Sequence, residues 1–332
     1  MDLAPSVYEH AAAVIGETPW RVSRDPELLF QAHVEAFHLY RHAPVVVGID
    51  IYNLEAEAYG ATILEPPGNA LPSVSAPLCQ TCADIRMLEI FDPLRDGRIP
   101  IVLETGKRLK ATLTDADIRI PISGPFSLAG NLVGFDSLLC DIIDDPQSVR
   151  QALDHLAWGQ IAFAREVVSQ GMQITLFESG ATPPLISPES FAKVVLPVLK
   201  HIITEVSSMA GHHVPCIIGG NTFPILDSIL ETGAGYVICP SETDQAAFMQ
   251  QMDAHPEVMV RINTNPAVFA TGSPMEVQQE IERVLRIAGS RQKVCIGTGV
   301  LPFDTKPDLV LLAKKILRNI GRACQPTGAG DA

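Results

Sequence analysis

The chain has 332 residues, 47% of them hydrophobic, and a formal net charge of −14. That length supplies a large core, as one barrel or two smaller domains. The acidic balance and the lack of any Lys/Arg run exclude nucleic acid as the main partner, because phosphate binding needs clustered cations.

The N-terminus, M-D-L-A-P-S, has no charged-then-apolar signal sequence, and no apolar run approaches ~18 residues. A cytoplasmic protein with no membrane partner is expected. Residues 1–42 read as helical. Asp25 can cap a helix whose Leu28, Leu29, Ala32, Ala36 and Phe37 share one apolar face. His33, His38 and His42 lie on this helix with no carboxylate or Cys at local metal spacing, and read as polar-face histidines. The run V-V-V-G-I-D-I, residues 45–51, reads as a strand buried on both faces, with Asp50 at its C-terminal end. Asn53 follows, and Glu55 and Glu57 suit the first turn of a helix, where the macrodipole favours acids.

A Pro-rich loop covers 65–77, and Cys79 and Cys82 behind it form an isolated C-x-x-C that reads as idle thiols. The seven cysteines are odd in number and scattered, so reduced thiols are expected. Helical patterns cover 83–92 and 100–113. Strands then recur: 118–123 leading into G-P-F-S-L-A-G, 172–177 ending in Glu178, Ser179 and Gly180, and 214–218 ending in G-G-N-T. They continue at 235–239 before P-S-E-T-D, at 258–262 before N-T-N-P, and at 294–297 before T-G-V-L-P-F-D-T. Pro146 and Pro188 open long helices, a last helix covers 307–321, and the tail 324–332 is expected to be disordered.

Strands alternating with helices imply a parallel sheet with right-handed crossovers. The expected fold is α/β, an irregular TIM-type (β/α)8 barrel with extra N-terminal helices, as one domain over 1–323 with one strand unplaced. An open doubly wound sheet is the alternative, but no G-x-G-x-x-G follows the first strand. The stretch 214–227 is the focal corner: an apolar strand, two glycines, Asn221 and Thr222 as caps, then a helix. A barrel would gather Asp50, Asn53, Glu178, Asn221, Thr222, Glu242, Asn263, Thr298 and Asp304 at its C-terminal face, with Arg261 and Lys306 the nearest cations. Such an acidic, amide-rich mouth suits a neutral or cationic ligand. Cys216, Cys239 and Cys295 lie at different heights in their strands and read as core thiols.

At these residues the chain resembles the uroporphyrinogen decarboxylase superfamily, which also holds methyltransferases working with methylcobalamin. The motifs run through most of the chain, from V-G-I-D-I-Y-N-L-E-A-E-A-Y-G-A and I-S-G-P-F-S-L-A-G-N-L-V-G to P-P-L-I-S-P-E-S-F. They continue in G-G-N-T-F-P-I-L, N-T-N-P-A-V-F-A-T-G-S-P-M-E-V and G-T-G-V-L-P-F-D-T-K-P-D. The resemblance implies an irregular TIM barrel with its cleft at the C-terminal face. Cobalamin:coenzyme M methyltransferases place zinc on an H-x-C before the Gly-Asn-Thr corner and on a late Cys; here the corner reads C-I-I-G-G-N-T and Thr298 takes the late position, so no metal is expected. The decarboxylase proper has a Tyr where Asn131 stands, a His where Thr298 stands, and paired N-terminal arginines that Arg21 and Arg24 do not match. Asp50 resembles its essential Asp, but a polycarboxylate needs cationic clamps.

The resemblance therefore implies a corrinoid-linked methyltransferase moving a methyl group between a small substrate and a cobalamin-bearing partner protein, since no D-x-H-x-x-G segment is present. In that role Asp50, Glu178 or Glu242 would act as general acid with a carboxyl raised by burial. Asn53, Asn221, Thr222, Asn263, Thr298 and Asp304 would hold substrate. The alternatives are a decarboxylase or lyase on a small acid and a non-catalytic tetrapyrrole-binding barrel. A homodimer stays open as a further partner state.

Overall fold

A computed structural model describes residues 3–323; the tail expected at 324–332 lies outside the described residues. The parallel strands are β1 (Leu3–Ser6), β2 (Val45–Val46), β5 (Ile118–Ser123), β6 (Gln173–Phe177), β7 (Cys216–Ile217), β8 (Tyr236–Cys239), β9 (Met259–Asn263) and β10 (Val294–Val300). A small antiparallel hairpin, β3 (Ile63–Leu64) with β4 (Ser73–Val74), fills the Pro-rich loop. These eight strands pair in two four-stranded parallel sheets, in the orders β1-β10-β9-β8 and β2-β5-β6-β7. Both sheets wall the same interior, so together they make an irregular TIM-type barrel. Among the described residues no ladder joins β7 to β8 or β1 to β2.

The unplaced strand is β1. Its sequence L-A-P-S has no β-branched residue, and Pro5 cannot donate to a ladder. It nevertheless pairs with β10, Leu3 with Ile296 and Ala4 with Gly297, and the register slips between Ala4 and Ser6. The helical reading of 1–42 is thus corrected at its start. Other spans are shorter than expected, and the focal strand 214–218 keeps only Cys216–Ile217. Gly48 turns the chain at φ 142°, so the run 45–51 leaves the ladder early and Asp50 precedes a 3₁₀ turn at Ile51–Asn53. The pattern at 83–92 keeps a helix only at Cys82–Ile85.

Helices pack the sheets from outside; Pro146–Ser169 buries Val149, Leu153, Leu156, Phe163 and Val167 in the main core. A separate small cluster, Tyr8, Val46, Ile51 and Phe177 with Tyr52 and Ile217, plugs the barrel from inside. Asp25 does cap its helix, accepting from the N–H groups of Glu27 and Leu28 at 2.8 and 3.0 Å.

The polar-face reading of His33 and His42 fails, because both are buried (0% and 2% exposed) while His38 is exposed. The Gly48 N–H donates to Nε2 of His33 at 3.0 Å, which requires a neutral ring. Burial lowers His33 to about 4, and burial with neighbouring His33 and Lys314 lowers His42 to about 3. The unfolded chain takes up these protons below about 6.5 and the native state refuses them, so stability falls as pH drops from about 6.5 toward 4. His33→Gln keeps an acceptor for Gly48. Urea unfolding at a series of pH values should show a flatter acid limb for it; an unchanged limb would remove His33 from the account.

Candidate active site

The C-terminal strand ends surround a cavity of about 400 Å³. Ile49, Ile51, Phe177, Ile217 and Ile238 give it apolar walls, and Leu71 and Val300, 43% and 47% exposed, stand at its rim. A volume of this order holds a small molecule.

Of the candidate residues, Asp50, Asn53, Glu242 and Asn263 line the cavity. Arg98, just before the helix Ile99–Thr112, donates from Nη1 and Nη2 to the two oxygens of Asp50 at 2.8 and 2.7 Å. Asn53 Nδ2 adds a bond to the same carboxylate at 3.1 Å and another to the Pro72 carbonyl at 2.8 Å. Both side chains of the Arg98–Asp50 pair are buried, so this fork-to-fork ion pair is fixed rather than solvated. The Arg98 Nε donates on to Glu57, which therefore anchors an ion pair instead of serving the helix dipole alone. Glu242 is exposed and accepts from Ser241 Oγ at 3.0 Å. Asn263 Oδ1 accepts from Arg261 Nε at 3.1 Å. Arg261, one of the two cations expected nearest the mouth, lines the cavity itself, while Arg98 arrives from outside the strand set and is taken up by Asp50.

The other candidates lie off the cavity. Glu178 is fully buried and accepts from the N–H groups of Phe126 and Ser127 and from Ser127 Oγ, at 2.8, 2.9 and 2.5 Å. It therefore caps the helix Pro125–Val133, and burial pushes its carboxyl up to about 7 against those bonds. A Cβ on Gly124 would lie 2.3 Å from its Oε2, so the G-P-F-S turn needs glycine there. Asn221 accepts from Thr243 Oγ1 at 3.0 Å, Thr222 is buried beside it, and of the focal corner Ile217 and Gly219 reach the cavity. Thr298 accepts from the Ser6 N–H at 3.1 Å and ties β10 to the end of β1, while Asp304 is exposed on the following loop.

Tyr52 and Glu9, which the sequence reading passed over, complete the site together with Ser179 and Asn131. Tyr52 donates to Ser179 Oγ at 2.8 Å, and that oxygen also accepts from the Gly219 N–H at 3.1 Å. Asn131 Nδ2 holds the Tyr52 carbonyl at 2.6 Å. Glu9 lines the cavity just past the end of β1, and burial pushes its carboxyl up to about 7. It has no ion-pair partner among the described residues. Had L-A-P-S been recognised as a strand, Glu9 would have stood at a strand end as Asp50 and Glu178 do.

Zinc of the kind the methylcobalamin branch uses does not fit these residues. Among those described, no three His, Cys, Asp or Glu groups could hold a metal. Burial, with Glu178 nearby, raises the Cys216 thiol, which favours S–H over the thiolate a metal requires.

The arrangement is that of an irregular barrel with its cleft at the C-terminal strand ends. The profile of the uroporphyrinogen decarboxylase (URO-D) family matches residues 5–312, and the chain belongs to that family. It is 27% identical over 249 residues to methylcobamide:CoM methyltransferase MtaA of Methanosarcina barkeri, covering 74% of this chain and 71% of that protein. It is 26% identical over 184 residues to the methylated-thiol–coenzyme M methyltransferase of Methanosarcina mazei, covering 54% of this chain and 48% of that one. The fold matches a methyltransferase from Methanosarcina mazei with a TM-score of 0.81 at 21% identity, over 96% and 94% of the two chains. No single helix among the described residues is long and apolar enough to cross a membrane.

Proposed function

We propose that this chain is a corrinoid-linked methyltransferase, moving a methyl group between a small molecule in the 400 Å³ cavity and a corrinoid carried by a partner protein. The observation that carries the reading is the cavity, apolar-walled and open at the strand ends, with Glu9 on its wall as an unpaired carboxyl near neutrality. The names of the relatives supply the chemistry. The exposed Leu71 and Val300 at the rim suit the approach of a partner surface.

When the partner docks, its corrinoid supplies the cobalt centre that takes or gives the methyl group. The chain holds the substrate and manages its proton. In the demethylating direction the bond between methyl carbon and heteroatom breaks, its electron pair stays on the heteroatom, and the Glu9 carboxyl donates a proton there. The apolar walls exclude water from the leaving group. Asp50, with both oxygens on Arg98, orients the wall and leaves the acid role to Glu9.

The test mixes purified protein with cob(I)alamin and a panel of small methylated thiols, amines and ethers, and follows the visible spectrum. Conversion to the methylcobalamin spectrum with at least one donor is expected. No spectral change with any donor, with the protein's own corrinoid partner also supplied, sinks the reading. Carbon dioxide release from small acids would point to a lyase instead.

A further inference from the structure

Arg261 has no use in the chemistry above, yet the barrel is built around it. It leaves β9 toward the interior and is 6% exposed. Its path crosses the face of Gly297 on β10: a Cβ there would come 2.0 Å from Arg261 Nε and 2.3 Å from Asn263 Oδ1. Any side chain at 297 would displace the guanidinium, so strand and charge are matched. The guanidinium donates to the Ala4 carbonyl at 2.8 Å, to Ser6 Oγ at 2.7 Å and to Asn263 Oδ1 at 3.1 Å. All three acceptors are neutral, and Tyr236 beside it is a phenol.

Among the described residues no carboxylate stands within ion-pair distance of Arg261. The contrast with Arg98 is direct, since that guanidinium meets two carboxylates. A buried charge held by neutral groups alone is costly to desolvate, and a guanidinium fork matches a carboxylate. Arg261 also lines empty space on two sides, the 400 Å³ cavity at the mouth and a second cavity of about 520 Å³ toward the other end of the barrel.

We infer that Arg261 seats the carboxylate of the substrate, which is a small monocarboxylic acid bearing its transferable methyl group at the opposite end. That orientation places the anion deep against Arg261, Ser6 and Asn263. It leaves the methylated heteroatom near Glu9 and Glu242, on the side where a partner reaches the mouth. The identification of this ligand as the methyl substrate rests on the methyltransferase reading; the anion seat itself does not.

Calorimetric titration of the purified protein without partner or cobalamin tests the seat. The probes are (methylthio)acetate, 3-(methylthio)propionate and methoxyacetate, each against its neutral amide. At least one acid should bind the wild type about 10- to 100-fold more tightly than its amide, the range of a charge-assisted hydrogen-bond pair. Arg261→Gln should abolish that preference, costing the acid far more affinity than the amide, and Arg261→Lys should keep part of it; circular dichroism checks that each variant folds. Equal binding of acid and amide, no binding of any acid, or an acid preference surviving in folded Arg261→Gln overturns the inference. Acid binding at Arg261 without any methyl transfer to cobalamin would instead leave the seat intact and remove the methyltransferase reading.

Discussion

Glu9→Gln lowers the rate of substrate demethylation by about 10²- to 10⁴-fold, the usual worth of a positioned general acid. The amide keeps the size and polarity of the side chain and loses the transferable proton. The pH profile carries the second half of the expectation. A carboxyl near 7 is protonated below that value and ionised above it, so wild-type turnover is full in mild acid and declines as pH rises through about 7. The variant should be slow at all pH values and lack that limb. Stopped-flow formation of methylcobalamin between pH 5.5 and 8.5 gives both readings. A Glu9→Gln enzyme with wild-type rate and an intact limb would move the proton donor elsewhere, with exposed Glu242 next in line.

The largest effect on stability belongs to Arg98→Leu. The substitution strands the Asp50 carboxylate in a site only 2% exposed with Asn53 as its remaining donor, and breaking one side of a buried pair costs about 3–5 kcal/mol. It also leaves Glu57 with Arg24 as its one cation among the described residues and frees the Ser23 carbonyl. The double variant Asp50→Asn, Arg98→Leu should recover much of that loss, because no charge is then left unpaired. Equilibrium urea unfolding of the wild type, both single variants and the double variant closes the cycle. If Asp50 orients the cavity wall, the folded double variant retains part of its turnover; complete loss with native stability would make Asp50 a catalytic residue.

The fold was legible because β-branched runs such as 118–123 and 258–262 declare buried parallel strands without any tertiary information. β1 escaped because four residues with a central proline carry no periodicity, and its pairing partner lies at the opposite end of the chain. The site was legible as a list of strand ends but not as a cavity. Which strand-end side chains turn inward depends on neighbours the sequence does not juxtapose: Glu178 is drawn away by the free N–H groups of a helix, whereas Arg261 is admitted by the missing side chain of Gly297. The Asp50–Arg98 pair spans 48 residues, and no local pattern couples a strand end to the residue before a distant helix.

The two lines along which the eight-staved wall lacks ladder bonds have a mechanical meaning. Prising the two arcs apart would break the bonds of Thr243 to Asn221 and Phe223 and the packing across β7/β8 and β1/β2, while leaving every ladder hydrogen bond within each arc in place. The two arcs meet as two shells, with Glu9 and Arg261 on one and Asp50 and Tyr52 on the other, so the relative set of the shells fixes how far apart these groups stand.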